Sequence, residues 1–194
     1  MTINILKNHG GKIILGVALL GLLVALMTTH PGIDWVTPTA VSAQAAVLGP
    51  WTAIGASGTV DESSICCFGF TGPSAGYAAA STSINPLEFR YNVTNTFDNS
   101  PLGPNIPGWT TLELGGVAPG GSSINAILYR VSRCTGQQAI ICRTRIAQST
   151  TGVCKTCTFA NTAINFTTDL YYVDVQVARV ATAEVPLVHN LRIF

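Results

Sequence analysis

From Leu170 to Val180 apolar and polar side chains alternate: Tyr171, Val173, Val175 and Val177 on one side, Tyr172, Asp174, Gln176 and Ala178 on the other. A period of two over this length predicts a half-buried β-strand, because a helix would scatter the same residues. Val and Tyr also suit a pleated surface. The same alternation predicts a strand over Leu87 to Val93, with Leu87, Phe89, Tyr91 and Val93 facing one way and Glu88, Arg90 and Asn92 the other. It predicts a hairpin, in which Ile124 to Arg133, with Ile127, Tyr129 and Val131 on one face, turns at Thr135-Gly136 into Ala139 to Ala147. A final strand runs from Leu187 to Phe194, with Leu187, His189, Leu191 and Ile193 aligned.

Weaker patterns predict strands at Trp51 to Val60, Tyr77 to Ser83 and Trp109 to Leu114, the last ended by Gly115-Gly116 and the Pro119-Gly120-Gly121 turn. Asp61 to Gly76, the Pro-bearing Asn95 to Gly108, and the small-residue stretch Ser149 to Thr158 read as loops. Short strands between Gly/Pro-rich turns, with no amphipathic helix after Met27, imply an all-β fold. The expected architecture is a two-sheet antiparallel sandwich, jelly-roll or immunoglobulin-like. The closing pattern, Leu128-Tyr129-Arg130-Val131, Tyr171-Tyr172-Val173-Asp174-Val175 and Leu191-Arg192-Ile193, resembles the end of exported bacterial jelly-roll-type domains of no assigned activity. That resemblance supports the fold and implies no chemistry.

The first 30 residues differ in kind. Lys7 and Lys12 precede Ile13 to Met27, an unbroken run of apolar residues and glycine. A positive end followed by an apolar run is an export signal or a single-span anchor, preceding the sandwich with one apolar helix. Val41-Ser42-Ala43 suits cleavage, but lies far from the apolar run. The uncleaved alternative is short against the roughly 20 residues that span a bilayer core. Either way the remainder is expected outside the cytoplasm, anchored or released near Ala43. The expected organisation is a signal or anchor over 1–30, a Pro/Ala-rich spacer over 31–48, and an exported domain over 49–194.

Charge narrows the function classes. Only 10% of the 194 residues are charged and the formal net charge is +1, which excludes the electrostatic footprint of a nucleic-acid binder. Arg130, Arg133, Arg143 and Arg145 gather on the predicted hairpin, as a basic stripe or as charges guarding an edge strand. Six cysteines in an exported chain point to disulfides. Cys134 and Cys142 flank the predicted turn and are expected to pair, and Cys154 and Cys157 to close a tight loop. A direct Cys66–Cys67 bond competes with a swapped pattern joining that pair to Cys154 and Cys157. Four thiolates from Cys66, Cys67, Cys154 and Cys157 also suit zinc, although adjacent cysteines seldom share an ion. A redox role for Cys154-Lys-Thr-Cys157 would need a helix N-terminus that an all-β chain lacks.

No catalytic set emerges, and no cofactor or resident metal is expected. His189 has no nucleophile elbow to serve, Asp61 and Glu62 point to opposite faces, and Asp98-Asn99-Ser100 lacks the spacing of a calcium loop. Asn92 and Asn165 open glycosylation sequons. Trp51, Trp109, Tyr171 and Tyr172 could stack on sugar rings, with Arg143 and Arg145 as further binding candidates. The expectation is therefore a non-catalytic sandwich. Its partners are the membrane through Ile13 to Met27, other envelope or membrane-complex proteins, or a glycan.

Overall fold

The computed structural model describes residues 49–96 and 100–194, within one compact unit, Gln44–Phe194. The apolar segment Ile13 to Met27, the whole spacer over 31–48, and Asp98 and Asn99 fall outside the described residues.

Among the described residues the fold is all-β. Its strands are β1 (Trp51–Ile54), β2 (Thr59–Val60), β3 (Phe68–Thr71), β4 (Ser74–Tyr77), β5 (Leu87–Val93), β6 (Thr111–Ser132), β7 (Gln138–Thr158), β8 (Asp169–Ala178) and β9 (Leu187–Ile193). All the pairings are antiparallel. The second half of β6 lies between β8 and the first half of β7, and with β5 and β2 beyond β8 it makes a front sheet. The first half of β6 lies between β9 and the second half of β7, and β9 carries β1 and β4 in tandem on its other edge, making a back sheet. All nine strands belong to one continuous sheet, and the long β6–β7 hairpin, shared by its front and back portions, bends that sheet round on itself rather than leaving two separate sheets.

This long hairpin corrects the expected boundaries. The Gly115-Gly116 and Pro119-Gly120-Gly121 sequence does not end a strand; it bends one. The β6–β7 register shifts at Gly116/Ala118 and again at Ala118/Ser123, while Gly120 (φ 62°) and Gln148 (φ 51°) take left-handed backbone where the two strands turn from one sheet to the other. Ser149 to Thr158 is accordingly strand rather than loop, since its backbone ladders onto Thr111 to Ala118. Likewise Asp61 to Gly76 contains β3 and part of β4, and β4 ends at Tyr77 where a strand was expected to begin.

The core is built from one side of each strand. Leu87, Phe89, Tyr91 and Val93 of β5 and Tyr171, Val173, Val175 and Val177 of β8 all point inward, as the alternation predicts. Fully burying each of the larger aliphatic or aromatic side chains is worth about 1.5–3 kcal/mol. In β6 the inward set is Ile124, Ala126 and Leu128, so Ile127, Tyr129 and Val131 lie on the outer face. In β9 a register shift opposite Gly115/Gly116 places Val188 in the core with Leu191 and Ile193. His189 therefore does not align with them; it lies against Gly152 instead.

Two polar anchors hold one end of the fold. Arg179, only 5% exposed, donates from Nε to the Ser83 carbonyl (2.9 Å) and from Nη2 to that of Ser81 (2.6 Å). Its Nη1 donates to Thr182 (3.0 Å) and Glu184 (3.3 Å), and the guanidinium lies 4.0 Å over the Tyr77 ring. Glu184 accepts from the backbone N–H groups of Gly121 (2.6 Å), Val180 (2.9 Å) and Ala181 (3.4 Å), tying the β8–β9 turn to the bend in β6.

The cysteines pair differently from the expectation. Cys142 bonds to Cys157, not to Cys134, and Cys66 bonds to Cys67. The reason lies in the bent hairpin. Cys142 faces the core opposite Leu128, whereas Cys134 sits on the exposed turn. Cys157, opposite Leu112, shares the inner side of the other half of β7, so the bond joins the front and back sheets across their common edge. Cys154 points outward and is free, which excludes the Cys154–Cys157 loop, the swapped pattern and the four-thiolate zinc set.

Candidate binding face

Of the candidate aromatic residues, three are structural. Trp51, Trp109 and Tyr171 are 5%, 2% and 3% exposed and belong to the core, so none presents a face to a ligand. The Tyr171 hydroxyl takes part in the loop before β8, accepting from the Asn165 N–H at 2.7 Å. Tyr172, on the opposite side of the same strand, is outward. So are Arg143 and Arg145, and the register brings all three to the outer face of the front sheet.

That face is ordered in rows across β5, β8, β6 and β7. One row runs Asn92, Tyr172, Tyr129, Ile140; the next Arg90, Asp174, Ile127, Arg143; the third Glu88, Gln176, Asn125, Arg145. Tyr129 and Tyr172 stack, with ring centroids 5.0 Å apart and planes 17° from parallel. This is close to the spacing between neighbouring strands. The rings therefore stand side by side as an aromatic ridge, each with its other face turned along the sheet. Burial raises the Tyr172 phenol above its ordinary value, helped by Tyr129 and Asp174 and opposed by Arg90, so its hydroxyl stays a protonated hydrogen-bonding group.

Charge on this face is divided. Arg90 lies between Asp61 (Nη2 to Oδ2, 3.7 Å) and Asp174 (Nε to Oδ1, 3.9 Å). Asp174 Oδ1 is buried without a hydrogen bond among the described residues. Its carboxyl is raised, first by burial and then by Glu88, with Arg90 pulling the other way. Glu88 accepts from Gln176 Nε2 at 3.4 Å. The acids thus cluster over β5 and β8. Arg143 and Arg145, both exposed, have no ion pair among the described residues. They border a shallow groove of about 250 Å³ lined with Asn125, Ile127, Thr144 and Gln176.

A second groove, of about 420 Å³, lies on the outer face of the back sheet between Thr52, Ile54, Ser57, Glu113, Asn190 and Arg192. It holds a single carboxylate and no aromatic platform, so it offers no acid/base couple. Among the described residues no group of three or more His, Cys, Asp or Glu side chains is placed to hold a metal ion.

Sequence reasoning missed Tyr129, Asn125 and Gln176 as members of one face. The signal was present in the alternation, but Ile124, Ala126 and Leu128 are as apolar as Ile127, Tyr129 and Val131. Only the pairing of Tyr129 with Tyr172 identifies which set faces out.

No protein-family model matches the chain, and no curated protein matches it. Among solved structures it is similar to the CBM36-1 domain of a multidomain xylanase from the hindgut metagenome of Trinervitermes trinervoides. That match has a TM-score of 0.42 and 11% identity over 75% of this chain and 97% of that one. A carbohydrate-binding module CBM36 in complex with calcium and xylotriose matches with a TM-score of 0.41 and 8% identity, over 74% of this chain and 99% of that one. A CBM61 module in complex with β-1,4-galactotriose matches with a TM-score of 0.37 and 12% identity, over 75% and 87%.

Proposed function

We propose that this protein is a non-catalytic carbohydrate-binding module, held outside the cytoplasm by its N-terminal apolar segment or released from it, and that the outer face of the front sheet binds the glycan. The observation that carries this reading is the Tyr129–Tyr172 ridge on the two middle strands of an outward face that also carries planar polar side chains. Aromatic surface pairs with the C–H faces of sugar rings, and amide and guanidinium groups hydrogen-bond their hydroxyls. Asn92 lies in the same row as the ridge, Arg143 in the next row, and Asn125, Gln176 and Arg145 in the row beyond it.

The test is affinity electrophoresis and pull-down of the full chain on a panel of neutral and acidic polysaccharides. Retention on at least one, weakened tenfold or more by Tyr172→Ala with the fold intact, is expected; that loss corresponds to about 1.4 kcal/mol. Trp51→Ala is the contrasting variant, because it acts through folding alone. The reading fails if no glycan retains the protein. A full chain that ignores every glycan yet co-purifies with a membrane protein would instead make it a structural accessory subunit of a membrane or envelope assembly.

A further inference from the structure

The binding face is electrically asymmetric, and the asymmetry specifies a ligand. Asp61, Glu88 and Asp174 surround Arg90 on the β2–β5–β8 side, so that cation is already shared between two carboxylates. Across the Tyr129–Ile127–Asn125 column the balance reverses. Arg143 and Arg145 stand two residues apart on the same side of β7, about 7 Å along the strand, with no carboxylate in ion-pair distance among the described residues. Between these two sides lies the groove floored by Ile127 and flanked by the amides of Asn125 and Gln176.

Resting on the glycan-binding reading, we infer that the ligand is an acidic glycan carrying carboxylates, a uronate-bearing polysaccharide, with its carboxylates toward β7. Guanidinium groups match carboxylates in a two-pronged geometry, which neutral hydroxyls cannot use as fully. The sugar ring then lies over Ile127 toward the Tyr129 ring, and its hydroxyls meet Asn125 and Gln176. The opposite orientation is disfavoured, because it sets the ligand's carboxylate against Asp174 and Glu88. Desolvation already opposes the charge of Asp174, and a further anion beside it would raise its carboxyl again. The two arginines thus act as specificity residues, and the tyrosine ridge supplies contact that acidic and neutral sugars share.

The experiment measures binding of the full chain to polygalacturonate and to its methyl-esterified form, which keeps the backbone and removes the charge. A sulfated polysaccharide and vesicles of anionic phospholipid complete the set. Polygalacturonate is expected to bind at least tenfold more tightly than the ester, with affinity falling as salt rises. Arg143→Gln and Arg145→Gln should each remove several-fold of that preference, weakening binding of polygalacturonate more than binding of the ester. Arg192→Gln, an equal change of net charge on the back sheet, should leave the preference intact.

Equal affinity for the acid and ester forms overturns the inference while the glycan-binding reading stands. Absence of binding to every polysaccharide overturns both. Comparable binding to the sulfated polymer or to the vesicles shows a general anion surface and overturns the carboxylate assignment. So does an Arg192→Gln effect as large as that of Arg143→Gln.

Discussion

Replacing Arg179 with methionine tests whether one buried cation holds two loops together. The side chain is 5% exposed and has no carboxylate in ion-pair distance among the described residues. Its charge is met instead by carbonyl dipoles from two segments, Ser81 and Ser83 after β4, and Thr182 and Glu184 after β8. Methionine keeps the apolar stem against Tyr77 and removes every donor. Thr182 is exposed, so its carbonyl regains water at little cost. The carbonyls of Ser81, Ser83 and Glu184 are in partly buried segments, and losing a partner costs each about 1 kcal/mol, toward the low end for a desolvated group. The sum is about 3 kcal/mol, which for a chain of this size lowers Tm by roughly 6–12 °C. Thermal unfolding of the full chain followed by near-UV circular dichroism measures it, with the urea midpoint as a second reading. Arg179→Lys keeps the charge but not the fork, and is expected to lose about half as much. A Tm within 2 °C of the parent for Arg179→Met would refute the reasoning, because the carbonyls would then be satisfied without the guanidinium.

The other predictions concern the hairpin bond and the pH response. Joining residues 15 apart, the Cys142–Cys157 disulfide contributes about 3 kcal/mol by loop entropy. The Cys142→Ser/Cys157→Ser variant should show that loss in the urea midpoint; an unchanged midpoint would mean that the sheets close without the staple. Glu184 titrates below its ordinary value of 4.5, chiefly because the Gly121 N–H and then the Val180 N–H bond to its carboxylate. A depressed folded-state value means that the stabilisation is fully present above pH 4.5 and is lost as pH falls through the folded-state value. Glu184→Gln should therefore be less stable than the parent at pH 7 and should converge with it in acid; a constant difference at every pH would show that the carboxylate's charge is irrelevant.

Much of the fold was legible in the sequence because a half-buried strand records its own burial. Leu87 to Val93 and the strand opening at Leu170 needed nothing beyond alternation to be placed, although the second ends at Ala178 rather than Val180, and their inward residues are the ones the pattern selects. Where both sides of a strand are apolar the record is ambiguous. The segment from Ile124 to Val131 alternates between two comparable sets, and only its position between β7 and β8 fixes Tyr129 outward. A single bulge has the same consequence at β9, where one extra residue moves Val188 into the core in place of His189.

The binding face shows the same division. Tyr172, Arg143 and Arg145 were recognisable as outward polar or aromatic positions, since each alternates with core residues along its own strand. That they form one face depends on partners far away in sequence, which local periodicity does not encode. The cysteines illustrate it most plainly. Their number and the Cys66-Cys67 adjacency are properties of the chain, whereas the Cys142–Cys157 bond exists because β7 bends at Gln148 and carries its two halves into different sheets. Side-chain alternation along each strand is local and therefore written in the sequence; register, bending and pairing are long-range and were decided only when the sheets closed over a common core.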